Sequence, residues 1–556
     1  PMPTLLLSSV FGPYGVDDDY GRKENVMELF HNQVTREQGM FSLRFHHPSF
    51  GLHLLAENVK CPAKVLDFPS QARFIRELAQ GYDYVGISFI APNFSKARRM
   101  AELVREHAPN SQIILGGHGT RIPKLASLVD CDHICAGEGV RWLRRLLNED
   151  PDGPIRHPTV NSALTKKMMG LPRPVEAAVL IPGVGCPNAC RFCATTHFFD
   201  LRYDAYLPDA DALFEACLDV ERKLGLQEFF IMDENFLKQY ERAEQFLARM
   251  EAEGKDWKFS IFSSAETVDK VGIEFLRRLG VEFIWVGVES KHEVYTKNQG
   301  IDFHAMIKDL RDAGIMVLAS GILFLEHHDR ETIKEDIEFM TSLKADFVQF
   351  MQLGPMPGTA LYEDYRKKEL LLDTVPYEEQ HGQDRIWFKH EHFGRDETNG
   401  ILKRAFEHEY EANGASLMRL FDTTARGAVC DDGGSPRLQR RRQAYIERCR
   451  EYRVAIPWMR RFAPTARMSR QVDRLTEQYE AILGPMTLKD RAVSAALAPL
   501  VLREYYNARS GRNVYQPPTM VTGYRLPTAW QRLHGLAAAP DSLRPVVATA
   551  VDLADL

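Results

Sequence analysis

Residues 181–193 read Ile-Pro-Gly-Val-Gly-Cys-Pro-Asn-Ala-Cys-Arg-Phe-Cys, and the apolar run Ala177–Ile181 leads directly into them. Cys186, Cys190 and Cys193 therefore lie on one short loop after a predicted strand. Thiolates are the standard ligands of iron–sulfur clusters. With nine cysteines in 556 residues, this spacing is expected by chance only roughly 0.002 times. Because three cysteines leave one iron of a four-iron cluster open, the loop predicts a cluster that also binds a small molecule.

Two other interpretations of this loop remain. Structural zinc usually takes four ligands, often as two close pairs. No Cys-x-x-Cys pair follows the loop in the sequence, although His197 is available as a fourth ligand. Three buried, unreactive thiols are the second alternative.

The loop resembles that of the radical S-adenosylmethionine (radical SAM) superfamily, in which an aromatic residue precedes the last cysteine, as Phe192 does here. The resemblance implies a 4Fe-4S cluster on Cys186, Cys190 and Cys193. It also implies S-adenosylmethionine on the open iron, beside Phe192, and a 5′-deoxyadenosyl radical formed when an electron from the cluster breaks the carbon–sulfur bond. An electron donor such as flavodoxin or ferredoxin is implied as a partner.

Strand-like and helix-like patterns alternate after the loop and predict a partial (β/α)6 TIM-like barrel over residues 171–375. The predicted strands are Val179–Val184, Phe229–Met232, Phe259–Ser263, Ile284–Val288, Met316–Phe324 and Val348–Gln352. The predicted helices are Asp209–Lys223, Glu241–Glu253, Val271–Leu279, Phe303–Ala313 and Arg330–Leu343. In such barrels the chemistry lies at the carboxyl ends of the strands.

Polar residues stand at these predicted strand ends: Asp233 and Glu234 after the second, Ser264 after the third, Glu289 after the fourth and Gln352 at the sixth. The resemblance implies that they contact S-adenosylmethionine, with the amino group near Asp233 and Glu234 and the ribose near Glu289. Each acid taken alone has the alternative role of a helix N-cap or a solvated loop residue.

The first 150 residues predict a doubly wound, parallel, Rossmann-like sheet. The predicted strands are Thr4–Leu7, Ala63–Leu66, Tyr84–Phe89, Gln112–Leu115 and Asp132–Cys135, with an amphipathic helix at Ser95–His107. Ligands bind such sheets at the carboxyl ends of the strands. No Gly-x-Gly-x-x-Gly follows the first strand, which argues against a dinucleotide.

This arrangement resembles the cobalamin-binding domain that precedes the radical domain in one large subfamily. The matching positions are Ser88 and Phe89 after the third strand, the pair Gly116-Gly117 after the fourth, and Gly137-Glu138-Gly139 beyond the fifth. The Asp-x-His-x-x-Gly motif that supplies a cobalt ligand in other cobalamin folds is absent. The resemblance therefore implies base-off cobalamin with no histidine on cobalt. The alternative for the glycine pair alone is a plain turn.

The remaining chain, residues 376–556, predicts a mainly helical domain that covers the active site, joined to the others through a linker at residues 151–170. The arginine-rich segment Arg437–Phe462 fits an RNA-binding helix, a membrane-surface helix or a helix packed on the barrel and balanced by nearby acids.

Bulk composition narrows the classes of protein to which this chain can belong. The net charge of −6 gives no reason to expect nucleic acid or an anionic membrane as a partner. No apolar run of about 18 residues predicts a transmembrane segment, and the first residues lack a secretory signal pattern. We expect a cytoplasmic protein with reduced thiols.

Three functions follow from these predictions. The resemblance implies a cobalamin-dependent radical methyltransferase that acts on an unactivated carbon. With the same cofactors, relatives also close, contract or oxidise rings, as the anaerobic cyclase of chlorophyll synthesis does. A cobalamin- or metal-binding regulator without turnover is the third. The substrate is expected to be a small or lipid-like molecule.

Overall fold

The computed structural model describes residues 2–25, 27–292, 295–512 and 514–526. The first part of the chain alternates strands and helices, as the sequence pattern predicts. Its elements are β1 (Leu5–Ser9), β2 (Leu43–His46), α1 (Phe50–Glu57), β3 (Ala63–Asp67), α2 (Gln71–Leu78), β4 (Tyr84–Ser88), α3 (Phe94–His107), β5 (Gln112–Gly116), α4 (Leu125–Leu128), β6 (His133–Ile134) and α5 (Gly139–Leu146).

The middle part begins with two short strands and continues with the strand–helix units of the barrel. Its strands are β7 (Thr165–Met168), β8 (Leu171–Pro172), β9 (Ala177–Leu180), β10 (Gly183–Val184), β11 (Asp204–Ala205), β12 (Glu228–Ile231), β13 (Lys258–Ser263), β14 (Val281–Glu289), β15 (Met316–Leu323) and β16 (Phe347–Gln352). Its helices are α6 (Ala194–Phe198), α7 (Ala210–Leu224), α8 (Tyr240–Ala252), α9 (Ala265–Val271), α10 (Ile273–Leu279), α11 (Phe303–Asp312), α12 (Thr332–Ser342) and α13 (Ala360–Lys367).

The last part is mainly helical and ends with one strand. Its elements are α14 (Arg395–Asn413), α15 (Ser416–Val429), α16 (Pro436–Tyr452), α17 (Ile456–Phe462), α18 (Ala466–Leu483), α19 (Leu488–Ala496), α20 (Ala498–Arg509) and β17 (Met520–Tyr524). Within the described residues, no helix has the length and apolar character needed to cross a membrane.

The N-terminal sheet is doubly wound. Strands β3, β1, β4, β5 and β6 are neighbours in that order and run parallel. Because side chains alternate along a strand, Leu6 and Val85 face a core that α2 and α3 cover, whereas Leu5 and Ile114 face a second core that α1 and α5 cover. The predicted Rossmann-like fold is confirmed.

The barrel sheet has the strand order β16-β15-β14-β13-β12-β9, and all its strands are parallel. Helices α7, α8, α11 and α12 pack on its outer face over one apolar core. The predicted partial barrel is confirmed, with one local difference. The helix predicted at Val271–Leu279 is divided at Gly272, whose φ of +77° is a backbone conformation that glycine adopts without strain.

Two segments pack against a part of the molecule other than the domain predicted for them. Strand β17 pairs antiparallel with the edge strand β3, so the last part of the chain completes the first sheet. Conversely, Phe30, Met40 and Phe41 pack with Phe347 and α15. Strand β2 forms a small antiparallel sheet with β7 and β8.

The arginine-rich helix α16 packs under the amino ends of the barrel strands. Arg448 donates to Glu282 (2.8 Å) and to Glu228 (3.0 Å), and Arg437 donates to Asp256 (3.1 Å). The structure therefore supports the interpretation of α16 as a packed helix balanced by acids, rather than as a surface for RNA or lipid.

We predict that Arg448→Met lowers the free energy of unfolding by about 3 kcal/mol, because it leaves the buried carboxylate of Glu282 without its cation. Arg450→Met on the same helix is the matched control, since Arg450 forms an exposed pair with Glu447 and such pairs contribute little. Denaturant unfolding of both variants tests this. Equal losses of stability would contradict it.

Candidate active site

The cysteine loop lies at the carboxyl end of β9 and is held in shape by its own backbone. The amide of Cys193 donates to the carbonyl of Cys190 (3.0 Å), and the Thr196 hydroxyl donates to the carbonyl of Cys186. Gly185 has a φ of +86°, and a Cβ there would lie 2.2 Å from the carbonyl oxygen of Arg202. Only glycine fits this turn, which directs Cys186 toward the other two cysteines.

The three thiols share one weakly solvated environment. Burial, together with the neighbouring Cys193 and Cys190, raises the pKa of Cys186 to about 11. Burial also raises the pKa of Cys190 and of Cys193. Three neutral thiols collected in this way lose their protons when they bind iron, because the metal ligand is the thiolate. The donor set therefore fits a cluster held by three cysteines.

The segment after β12 contains two acids with different roles: Asp233 is bonded within the protein, whereas Glu234 has no side-chain partner among the described residues. Asp233 is buried and accepts hydrogen bonds from Tyr203 (2.7 Å) and Arg242 (3.3 Å), so its carboxylate is already satisfied. Glu234 is exposed beside the cysteine loop, and desolvation raises its pKa to about 7. Of the two predicted acids, only Glu234 keeps a carboxylate free of side-chain partners in the described protein.

Ser264 belongs to a buried polar network. Its hydroxyl accepts from Asn235 (2.8 Å) and lies 2.6 Å from the hydroxyl of Thr267, while Ser263 donates to Asn235 (3.2 Å). The network joins the ends of β12 and β13 and fixes their spacing.

Two predicted residues stand at the other strand ends. Glu289 has a φ of +65° at a register shift of β14 against β15, and its carboxylate pairs with Lys297 (2.5 Å). Burial alone would lower the pKa of Lys297, but Glu289 raises it above its ordinary value. At the end of β16, Gln352 donates to the carbonyl of Asp384 (2.9 Å), while its Oε1 is buried with no partner in the described protein.

A cavity of about 780 Å³ connects these strand ends with the N-terminal sheet. Its barrel side includes Phe192, Glu289 and Gln352, and its N-terminal side includes His118 and Arg121. Trp285, Trp387, Ile322, Met351 and Met356 add apolar surface. A volume of this size is typical of cofactor and small-molecule sites.

The carboxyl ends of the N-terminal strands line a neighbouring cavity of about 270 Å³, to which Ser88, Gly116 and Gly137 contribute. A Cβ at Gly116 would meet no atom within 4 Å, so the space beside this strand end is open. Gly117 has a φ of +84°, and a Cβ there would lie 2.5 Å from the carbonyl of Phe89. The glycine pair thus combines a tight turn with room for a bulky ligand.

Two residues predicted to contact cobalamin have other roles in the structure. Phe89 is buried under the glycine turn, where its backbone bonds to Gly116 and Gly119. Glu138 caps α5 by accepting from two backbone amides and accepts from the hydroxyl of Tyr206 (2.6 Å), which belongs to the barrel side. Both residues therefore make contacts that support the structure around the site.

The sequence analysis missed residues that complete the site. His118 stacks on Phe198 (ring centroids 4.4 Å apart), and burial, with a contribution from Arg121, lowers its pKa to about 4. Arg121 donates to the carbonyl of Phe198 (2.8 Å). The only sequence signal for His118 and Arg121 is their position directly after Gly116-Gly117. Trp285 and Lys297 carried no sequence signal.

One group outside this site has the composition of a metal site. Donor atoms of His327, His328 and Asp336 lie within 4.8 Å of one another. Nδ1 of His328 accepts from the amide of Leu325 (3.0 Å), which places the ring proton on Nε2, 2.8 Å from Asp336. Because both ring nitrogens are engaged, this group is a brace between loops.

Comparisons with known proteins agree with this geometry. Residues 180–340 match the family model of the Radical SAM superfamily. An uncharacterized methyltransferase of Pyrococcus horikoshii is 24% identical over 65% of this chain and 87% of its own length. The anaerobic magnesium-protoporphyrin IX monomethyl ester cyclase of Cereibacter sphaeroides is 23% identical over 55% of this chain and 56% of its own.

Among solved structures, the radical S-adenosylmethionine methyltransferase TsrM from Kitasatospora setae, with cobalamin and a [4Fe-4S] cluster bound, matches with a TM-score of 0.52. The match covers 81% of this chain and 99% of that one at 13% identity, so it concerns the fold.

These observations define the class of the protein: it is an enzyme with a radical SAM domain at residues 180–340. Its fold, a Rossmann-like sheet ahead of the radical SAM domain and helices after it, is shared with the TsrM structure. A radical SAM domain implies a 4Fe-4S cluster and S-adenosylmethionine as cofactors.

We predict that Cys190→Ala abolishes the brown colour of the reconstituted cluster and all cleavage of S-adenosylmethionine, because two thiolates do not hold the cluster. Cys430→Ala is the matched control, since Cys430 is also a half-buried free thiol. Iron content, absorbance and 5′-deoxyadenosine formation are measured anaerobically. Cleavage retained by Cys190→Ala would disprove the assignment of the loop.

Proposed function

We propose that the protein is a cobalamin-dependent radical SAM methyltransferase that acts on an unactivated carbon of a small or lipid-like substrate. One observation carries the proposal: the cavity beside the cysteine loop reaches the carboxyl end of the N-terminal sheet, where His118 also lines the neighbouring glycine-lined cavity. Substrate, S-adenosylmethionine and cobalamin have to meet in one place for methyl transfer. The relatives named as methyltransferases support the same activity.

When bound, the cofactors supply the electron, the radical and the methyl group, and the protein supplies binding and orientation. The partnerless Oε1 of Gln352 is suited to accept an N–H of S-adenosylmethionine, and Glu289, held by Lys297, to accept its ribose hydroxyls. Phe192, Glu234 and the segments that hold Asp233 and Ser264 frame the same ligand. Trp285 and Trp387 exclude water from the reacting atoms.

The glycine-lined cavity at Ser88, Gly116 and Gly137 is the proposed place for cobalamin. We propose that no histidine ligates cobalt. The sequence lacks the motif that supplies such a ligand, and His118, the lining histidine among the described residues, has its ring stacked on Phe198.

A second candidate is a ring-closing or oxidising reaction with the same cofactors. The similarity to the anaerobic cyclase of Cereibacter sphaeroides favours it. Product mass separates the two, because methylation adds one CH₂ unit whereas oxidative ring closure removes hydrogens. A flavodoxin or ferredoxin is the proposed electron donor for either reaction.

We predict that the protein, reconstituted anaerobically with iron, sulfide and hydroxocobalamin, gives a reduced 4Fe-4S signal that S-adenosylmethionine alters. Its cob(II)alamin spectrum should be base-off, without the splitting that a nitrogen ligand produces. Electron paramagnetic resonance and absorbance test both. A cluster without retained cobalamin would be consistent with a radical SAM enzyme but would disprove the cobalamin-dependent methyltransferase proposal. Failure to form 5′-deoxyadenosine and S-adenosylhomocysteine with any donor would leave a non-catalytic regulator.

We predict that Gly116→Leu strongly lowers cobalamin content but spares the cluster, because the new side chain extends into open space without disturbing the turn. Gln112→Leu, at the exposed amino end of the same strand, is the matched control. Cobalt and iron are measured in each variant. Equal loss of both metals would mean that the fold had collapsed, and unchanged cobalt would place cobalamin elsewhere.

A further inference from the structure

A second cavity lies at the opposite, amino end of the barrel strands. It has a volume of about 210 Å³, and its lining includes Glu228, Met316 and Phe347 at the starts of three strands. We call it the basal cavity. His47 lines both this cavity and the larger one, and its ring stacks on Phe230 (5.3 Å, 9°). His47 thus lies between the two cavities.

The walls of the basal cavity are largely apolar, and two of its three acids have a cationic partner. Phe45, Phe230 and Phe283 contribute aromatic surface. Arg448 pairs with both Glu282 (2.8 Å) and Glu228 (3.0 Å). Glu176, the third acid of the lining, forms no ion pair within 4.0 Å with a described residue.

Two donor groups in the same cavity have no such compensation. No carboxylate oxygen of the described residues lies within 4.0 Å of the Lys166 ammonium, and within the same part of the chain the Tyr452 hydroxyl makes no hydrogen bond. Neither polar atom is sealed inside the protein. Burial lowers the pKa of Lys166 and raises the pKa of Tyr452 to about 12. The cavity therefore holds an ammonium with no carboxylate in direct contact and a neutral phenol, both hydrogen-bond donors.

We propose that the basal cavity binds a small monocarboxylate with an apolar body. The carboxylate accepts charge-assisted hydrogen bonds from Lys166 and Tyr452, and the apolar body packs against Phe45, Phe230 and Phe283. The volume equals that of about seven water molecules at roughly 30 Å³ each, which is enough for a phenyl ring with a short chain.

The surrounding charges favour one negative charge over two. Glu176 and Glu228 also act on Lys166, so a dianion such as a phosphate monoester would meet about twice the repulsion that a single carboxylate meets. Because the site lies at the end of the barrel away from the cysteine loop, its ligand is distinct from the substrate of the radical reaction.

Isothermal titration of the full chain with 3-phenylpropionate and octanoate tests the proposal, with 3-phenylpropanol as the uncharged analogue. We expect both acids to bind and the alcohol to bind at least about tenfold more weakly, since a charged hydrogen bond is lost. Lys166→Met should weaken acid binding at least about tenfold. Lys167→Met is the matched control, because Lys167 lies next along β7 over the ring of Tyr515 (3.9 Å), outside the basal cavity.

Tyr452→Phe keeps the stacking of this ring on Phe421 (4.3 Å) and should weaken acid binding several-fold, so the proposal stays testable if Lys166→Met fails to fold. Failure of wild-type protein to bind either acid would overturn the proposal and leave a water-filled cavity. Equal affinity for the alcohol, or full affinity in Lys166→Met and Tyr452→Phe, would also overturn it. Cluster content and S-adenosylmethionine cleavage, measured in parallel, should be unchanged by Tyr452→Phe.

Discussion

Glu138 and Arg121 reach from the N-terminal domain to the segment that follows the cysteine loop, and the site depends on these two contacts. Glu138 accepts from Tyr206 while it caps α5, and Arg121 holds the carbonyl of Phe198 at the end of α6. Gly358, after the last barrel strand, has a φ of +86°, and a Cβ there would lie 2.9 Å from Arg121. Two parallel sheets are thereby held with their carboxyl ends facing each other.

This arrangement explains why several predicted ligand residues serve as scaffold. Ligands bound at the facing strand ends have to lie close to each other. Mobile loops would not fix their positions. Asp233 is used to hold Tyr203 and Arg242, and Ser264 joins two strand ends through Asn235. The groups left for ligands are few: the three thiols, Glu234, Glu289 and the free oxygen of Gln352.

Local patterns predicted most of the fold, because buried parallel strands and amphipathic helices leave a strong signal over a few residues. The cysteine loop and the glycine pair were readable for the same reason, since their spacing or turn allows few alternatives. Contacts between segments that are distant in the sequence could not be predicted. Nothing in Met520–Tyr524 indicates pairing with β3, nothing near Phe30 indicates packing on the barrel, and no pattern showed that Asp233 is already bound.

The pairing of β17 with β3 has a consequence for the order of assembly. Thr519 donates to the carbonyl of Phe68, 451 residues earlier in the chain, so the N-terminal sheet receives its outer strand only after the barrel and the helices have been synthesised. Until then the edge of β3 has unpaired backbone groups, the type of surface that other chains can join. During synthesis the N-terminal sheet thus emerges before the barrel but is completed after it, and the edge of β3 is covered only when β17 pairs with it.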